Sequence, residues 1–159
     1  MDNKKLVIRE LIEGEPLPYE LIFLADPSEE MVNKYIHKSH IYTIEINYKT
    51  IGVCILYPIN RNMAEIKNVA IDEDYQQQGY GKALMNKVIE EAGEKGYEEL
   101  IIGTGNCGFS QLYMYQRLGF EMYEIKLNFF VDNYKEPIFE NGIQCKHMVM
   151  LKKILTRKL

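Results

Sequence analysis

Residues 63–96 carry a strand pattern, a glycine-bearing loop and a helix pattern in immediate succession: MAEIKNVAI, DEDYQQQGYG and KALMNKVIEEAGEKG. In the first segment Ile66, Val69 and Ile71 are β-branched, which suits a pleated, half-buried surface. In the last, Leu84, Met85, Val88, Ile89 and Ala92 recur at helical spacing, and Gly96 supplies a stop. A chain built around this run must combine a sheet with a helix packed on it. Its glycines fall where a strand hands over to that helix.

The flanking sequence extends the same architecture. LVIRELI reads as a first strand, and PYELIFLADPSEEMVNKYIHKSH as helix broken near Pro27, with Ser28 and Glu30 marking a restart. IYTIEINY and IGVCILYP alternate like a hairpin, separated by Lys49-Thr50. YEELIIG predicts a buried strand, followed by a GTGNCG loop and a short helix ending at Gly119. FEMYEIKLNFF reads as one long strand, Glu140-Asn141-Gly142 as a turn, and KHMVMLKKIL as the last strand. The order is strand, helices, three strands, helix, strand, helix, two strands. It predicts an α/β mixed sheet with helices packed on it, not a regular βαβα array.

Composition narrows the function classes. The chain has 159 residues, with no repeat or low-complexity linker, and reads as a single domain over 1–159. Net charge is −4, so a basic nucleic-acid footprint is absent overall. No apolar run approaches the ~20 residues of a membrane span, and MDNKKLVIRE lacks a signal-peptide apolar core. Cys54, Cys107 and Cys145 are odd in number and widely spaced, without CxxC. They read as free thiols in a reducing compartment, the cytoplasm. His37 and His40 are too few for a zinc site, so no metal is expected. KKILTRKL at 152–159 reads as a solvated basic tail.

Two glycine stretches compete for the role of ligand cradle. GTGNCG, 103–108, fits G-x-G-x-x-G, with Glu121 and Glu124 downstream for a ribose contact. A dinucleotide fold needs that fingerprint in its first βα turn with further βα units behind it, and here most of the chain precedes Gly103. QQQGYGKAL is no P-loop, because Gln76 and Ala83 stand where that motif needs Gly and Ser/Thr. It does place glycines where a strand feeds a long helix. The N–H groups of a helix N-terminus can hold an anion, with Lys82 assisting. An ordinary glycine-rich turn would show the same residues.

AEIKNVAIDEDYQQQGYGKALM, YEELIIGTGN and LYMYQRLGF, in this order and spacing, resemble the GNAT superfamily of acyl-CoA-dependent N-acetyltransferases. The resemblance covers residues 63–120, and the remaining strands fit the same order. It implies a mostly antiparallel sheet of about seven strands, splayed between the fourth and fifth and flanked by about four helices. It implies acetyl-CoA as co-substrate, direct transfer to a primary amine of a small molecule or peptide in a ternary complex, and no nucleic acid or membrane partner. A homodimer is compatible with it. Backbone groups of Val69, Ala70 and Ile71 would pair with pantetheine. Gln76, Gln77, Gln78, Gly79, Tyr80, Gly81 and Lys82 would wrap the pyrophosphate, and Asn106 would hydrogen-bond the cofactor near its thioester. Many relatives carry that Asn closer to the tyrosine than Asn106 is to Tyr115.

The same resemblance assigns the chemistry. Glu65 occupies the position of the general base in some relatives, and as a strand residue it also reads as a solvent-facing carboxylate. Tyr115, in Tyr-x-x-x-Gly-Phe, would protonate the departing thiolate; the other reading is a packed aromatic. A backbone N–H near Val69 or Ala70 would hold the oxyanion. Tyr80 and Tyr113 read as packing or cofactor-shelf residues. Cys107 suggests an acyl-cysteine, but no base is placed near it in sequence, so a small packing residue is the plainer reading. NYKEPIFENGIQC either shapes an acceptor pocket or forms a surface hairpin. Alternatives to transfer are a CoA-binding sensor without efficient catalysis and an NAD-dependent enzyme using 103–108.

Overall fold

The computed structural model describes residues 3–155. Its strands and helices run β1 (Leu6–Glu10), α1 (Tyr19–Ala25), α2 (Glu29–Asn33), β2 (His40–Ile46), β3 (Lys49–Pro58), β4 (Met63–Ile71), α3 (Tyr80–Glu94), β5 (Glu99–Gly105), α4 (Phe109–Arg117), β6 (Glu121–Lys126), α5 (Phe129–Asn133), β7 (Ile138–Glu140), β8 (Ile143–Cys145) and β9 (Met148–Ile154), with short 3₁₀ turns at Ile36–Lys38 and Glu73–Tyr75. Seven strands form one sheet in the order β1-β2-β3-β4-β5-β9-β6, and β7 and β8 make a separate ribbon. Every neighbouring pair in the large sheet is antiparallel except β4 and β5. The parallel pair follows from the crossover through α3.

Local chemistry sets the boundaries. Ser28 restarts the helical segment, its Oγ accepting from the Met31 N–H at 3.2 Å. The β2–β3 turn is Asn47-Tyr48, both at positive φ (49° and 69°), and not Lys49-Thr50, which belongs to β3. Two positive-φ residues make the tight turn whose twist matches a hairpin. Asn141 and Gly142 do the same between β7 and β8 (φ 52° and 72°). The long strand expected over FEMYEIKLNFF stops at Lys126. Asn128, at φ 57°, turns the chain into α5. The GTGNCG loop begins later than expected, because β5 continues through Gly105. Of the basic segment 152–159, Lys152, Lys153 and Ile154 finish β9, and 156–159 lie outside the described residues.

Helices cover both faces. Leu84, Met85 and Val88 of α3 and Tyr115 of α4 pack with Cys54, Leu56 and Ile66 on one face. Ile22 of α1 and Val32 of α2 pack with Val53, Ile55 and Ala70 on the other. Each fully buried large aliphatic side chain contributes about 1.5–3 kcal/mol of transfer free energy.

One irregularity in β4 decides what that strand presents. Ile55 pairs with Asn68, but its neighbour Leu56 pairs with Ile66, so Lys67 is an extra residue in a bulge. Strand side chains alternate faces, and one extra residue reverses the alternation beyond it. Ala64 and Ile66 belong to the α3–α4 core, and beyond the bulge Val69 and Ile71 join that core while Ala70 packs on the α1–α2 side.

Candidate active site

Pairing between β4 and β5 runs from Met63↔Glu99 to Ile66↔Ile102 and stops there. Beyond the bulge, β4 remains paired with β3 through Ile71. Beyond Ile102, β5 leaves β4 and stays with β9 through Gly105. The two strands therefore open a wedge in the middle of the sheet. Backbone groups of 68–71 face it from one side and those of 103–105 from the other. Buried backbone polar groups require partners, so such a wedge suits a ligand that carries amides along its length. Val69, Ala70 and Ile71 lie on it, as the sequence predicts.

The wedge leads to the N-terminus of α3. Gly79 caps this helix in the left-handed region (φ 88°), and no side chain caps it. The first helical bond is donated by the Ala83 N–H to the Gly79 carbonyl, so the N–H groups of Tyr80, Gly81 and Lys82 precede the ladder. A 15-residue helix concentrates positive potential at this end. The loop is braced from below. The Gln76 amide donates to the Ile71 carbonyl at 2.9 Å, the Gln78 amide donates to the Asp74 carbonyl at 3.3 Å, and Gln77 sits at φ 60°. Gly81 lies beside Ile71 and Met114, where an added Cβ would make only ordinary contacts at 3.6 and 3.9 Å. Lys82 is exposed and Tyr80 is half-buried, its ring 6.3 Å from that of Tyr75.

GTGNCG has a different job. A Cβ on Gly103 would meet the sulfurs of Met148 and Met150 at 2.5 and 2.8 Å, and one on Gly105 would meet the Cys145 sulfur at 3.1 Å. These glycines allow close cross-strand packing and do not form a phosphate loop. Glu121 and Glu124 lie on the edge strand β6. Asn106 is committed to the chain itself. Its Oδ1 accepts from the N–H groups of Lys146 and His147 at 2.9 and 3.0 Å, and its Nδ2 donates to the Gln144 carbonyl at 3.2 Å. It latches the segment before β9 to the end of β5.

Tyr115 is 6 % exposed, with its ring 6.3 Å from Phe120. Burial, with a smaller contribution from Cys54, pushes its phenol well above the ordinary tyrosine range. It is held as a neutral donor. Tyr113, two residues earlier on the helix, is exposed, so of its two readings, packing and cofactor shelf, it does not fit the first. Glu65 sits before the bulge on β4, its side chain 12 % exposed and 3.1 Å from Lys67 Nζ, which also lies 5.7 Å from the Tyr57 ring centre. Tyr115 belongs to the α3–α4 side. Glu65 alternates with Ala64 and Ile66 and so faces the other side.

The thiols differ from expectation. Cys107 and Cys145, 38 residues apart, form a disulfide, leaving Cys54 free and buried. No short spacing advertises this pair, and it removes both the acyl-cysteine reading of Cys107 and the basis on which a reducing compartment was expected. Glu140 stands beside the disulfide, 3.7 Å from Cys107 Sγ, but bonded sulfurs offer no thiolate to a metal. His40 Nδ1 is paired with Glu10 at 2.8 Å across β1 and β2. Sequence reasoning also passed over a polar cluster on the α1–α2 face, Asp26, Tyr35, Asn68 and Tyr134. The only local signal was Asn68, a polar residue inside an apolar strand. Among the described residues no helix is long and apolar enough to cross a membrane.

A mixed sheet that splits between its one parallel pair, with an uncapped helix at the mouth of the split, defines the acyl-CoA-dependent acetyltransferase architecture. The chain belongs to the acetyltransferase (GNAT) family, whose pattern matches residues 8–120. It is 40 % identical over 151 residues to the uncharacterized N-acetyltransferase YvbK of Bacillus subtilis, covering 95 % of this chain and 97 % of that one. A crystal structure of a GNAT family acetyltransferase from Elizabethkingia anophelis with acetyl-CoA bound superposes with TM-score 0.92 at 44 % identity, covering 98 % of this chain and all of that one. A Bacillus subtilis acetyltransferase in complex with CoA gives TM-score 0.89 at 39 % identity, over 96 % of this chain and all of that one.

Proposed function

We propose that this protein transfers an acetyl group from acetyl-CoA to a primary amine, both held together in a ternary complex. The observation that carries the reading is the end of β4–β5 pairing at Ile66↔Ile102, with the uncapped terminus of α3 beside it. The residues present fit the co-substrate. Backbone groups of Val69, Ala70 and Ile71 take the pantetheine amides. The loop of Gln76, Gln77, Gln78, Gly79, Tyr80, Gly81 and Lys82 takes the pyrophosphate on backbone N–H groups. Asn106 contributes by fixing the strand end, through the bonds it already makes.

In the reaction a C–N bond forms at the acetyl carbonyl and the C–S bond breaks. The protonated amine and acetyl-CoA give the N-acetyl product, CoA thiol and one released proton. A free alkylamine is mostly protonated at neutral pH, with a pKa near ~10, so a base is needed. Glu65 removes the amine proton, directly or through water. A backbone N–H near Val69 or Ala70 stabilises the oxyanion. Tyr115 donates its phenolic proton to the departing sulfur.

Thermal unfolding with acetyl-CoA, CoA and NAD in parallel tests the cradle. Saturation at ~100 times the dissociation constant adds ~2.7 kcal/mol, several degrees for this chain length. Stabilisation by acetyl-CoA, followed by amine-dependent CoA release, is the expected result. Stabilisation by NAD alone sinks the proposal, and acetyl-CoA binding with no turnover on any amine leaves a CoA sensor in its place.

A further inference from the structure

Three donors from separate parts of the chain converge on Asp26, at the C-terminal end of α1. Tyr134 Oη donates to Oδ1 at 3.0 Å, the Ser28 N–H donates to Oδ1 at 3.2 Å, and Tyr35 Oη donates to Oδ2 at 3.3 Å. The Tyr35 proton has a fixed destination. Asn68 Nδ2 donates to the Ile22 carbonyl at 2.9 Å and to Tyr35 Oη at 3.2 Å. A carbonyl cannot donate, so the amide orientation is set and the Tyr35 hydroxyl must give its proton to Asp26. Burial pushes both the Tyr35 and Tyr134 phenols upward, and both stay donors throughout the neutral range.

All three donors are neutral. Among the described residues no Lys, Arg or His lies within ion-pairing distance of Asp26. A half-buried carboxylate is thus oriented through both oxygens and left without a cation. A second observation points the same way. Asn68 is 4 % exposed, lies on the part of β4 that borders the wedge, and its Oδ1 has no hydrogen-bond partner. A buried acceptor without a donor is costly and calls for a ligand or a water. Carboxylate and amide are joined through one tyrosine, on the face of the sheet opposite α3 and its uncapped terminus. Tyr134, 108 residues along from Asp26, closes the cluster from the segment after α5.

We infer that Asp26, Tyr35, Asn68 and Tyr134 form the acceptor subsite, and that the acceptor is a cationic alkylamine whose ammonium docks on Asp26. The inference rests on the acetyl-transfer reading. An alkylammonium brings positive charge and three N–H donors, which the cluster lacks. A carboxylate-bearing acceptor would meet like charge at Asp26. The cofactor then enters from the α3–α4 face and the amine from the α1–α2 face, so that they meet at the wedge.

The test is the initial rate of CoA release across primary amines of graded charge (a diamine, a monoamine and an α-amino acid) for the wild type, Asp26→Asn and Tyr134→Phe. The wild type should prefer the cations. Asp26→Asn should raise KM for them at least ~10-fold and flatten the charge order, with acetyl-CoA affinity nearly unchanged. Tyr134→Phe should raise KM by a smaller factor. If Asp26→Asn fails to fold, Tyr134→Phe and the rise of wild-type KM with salt decide. A wild type indifferent to acceptor charge, or an Asp26→Asn protein that keeps the charge order, overturns this subsite while the transferase reading stands. No acetyl-CoA binding and no CoA release with any amine overturns both.

Discussion

Burial makes the Tyr115 phenol hard to ionise, so it keeps its proton until a thiolate departs beside it. Tyr115→Phe removes only the hydroxyl, so the fold should hold while kcat falls by about 10²-fold, with acetyl-CoA affinity unchanged by calorimetry. Equal kcat would leave Tyr115 as a packed ring against Phe120. Glu65→Gln should lower kcat/KM by about 10²-fold at neutral pH, and the deficit should shrink as pH approaches ~10, where the amine loses its proton unaided. A constant, small deficit would reduce Glu65 to the partner of Lys67, a pair worth at most ~1 kcal/mol at this exposure. At this scale the Tyr115 motif stood out because its signal is local: three residues separate it from the Gly119-Phe120 pair. Asp26, Tyr35, Asn68 and Tyr134 did not, since nothing in sequence spacing brings together residues so far apart. Asn106 was noticed, but its latch to the segment before β9 is likewise a long-range fact.

Two glycines of α3 behave oppositely because of backbone angle, not space. Neither would place a Cβ within 4 Å of another group, but Gly79 has φ 88° and Gly93 lies inside the helix. Gly79→Ala should cost about 1–2 kcal/mol and weaken acetyl-CoA binding. Gly93→Ala should raise stability by up to ~1 kcal/mol and leave binding alone; melting curves with and without acetyl-CoA read both effects. The Cys107–Cys145 link closes a loop of 38 residues, for which chain entropy allows up to about 4 kcal/mol. Thiol titration of the unfolded chain should find one reactive group before reduction and three after, and reduction should lower the melting temperature. Strongly periodic elements such as α3 and β4 were readable from sequence. The Asn47-Tyr48 turn and the end of β6 were not, because non-glycine residues at positive φ carry only a weak compositional signal.

Across the whole molecule, burial raises the phenols of Tyr35, Tyr42, Tyr115 and Tyr134 and the thiol of Cys54. These groups remain protonated in the fold while the unfolded chain ionises at ordinary values. The unfolded state then binds fewer protons, so stability falls as pH rises. The loss begins near ~8.5 with the thiol and steepens above ~10 with the phenols, each contributing up to about 1.4 kcal/mol per pH unit. Denaturant midpoints measured from pH 7 to 11 should fall along that course, and a flat profile would contradict it. Strand order was anticipated in outline because a strand–helix–strand run among hairpins leaves few arrangements. The split between the fourth and fifth strands followed from the family resemblance, but the residue pair at which it begins, Ile66↔Ile102, did not, since a strand's own residues do not record where its neighbour leaves.

Lys67 gives that division a further meaning. The extra residue acts as a frameshift in the strand: what is upstream and what is downstream are read in different phases, and the cofactor wedge opens at the change of phase. Deleting Lys67 would remove the spare residue and make Ile66 and Asn68 consecutive, as their partners Leu56 and Ile55 on β3 already are. Val69 and Ile71 would keep the α3–α4 side and Asn68 and Ala70 the α1–α2 side. What the strand would lose is the bend a bulge puts into it at the place where β5 departs, so the deletion separates the shape of the wedge from the residues that line it.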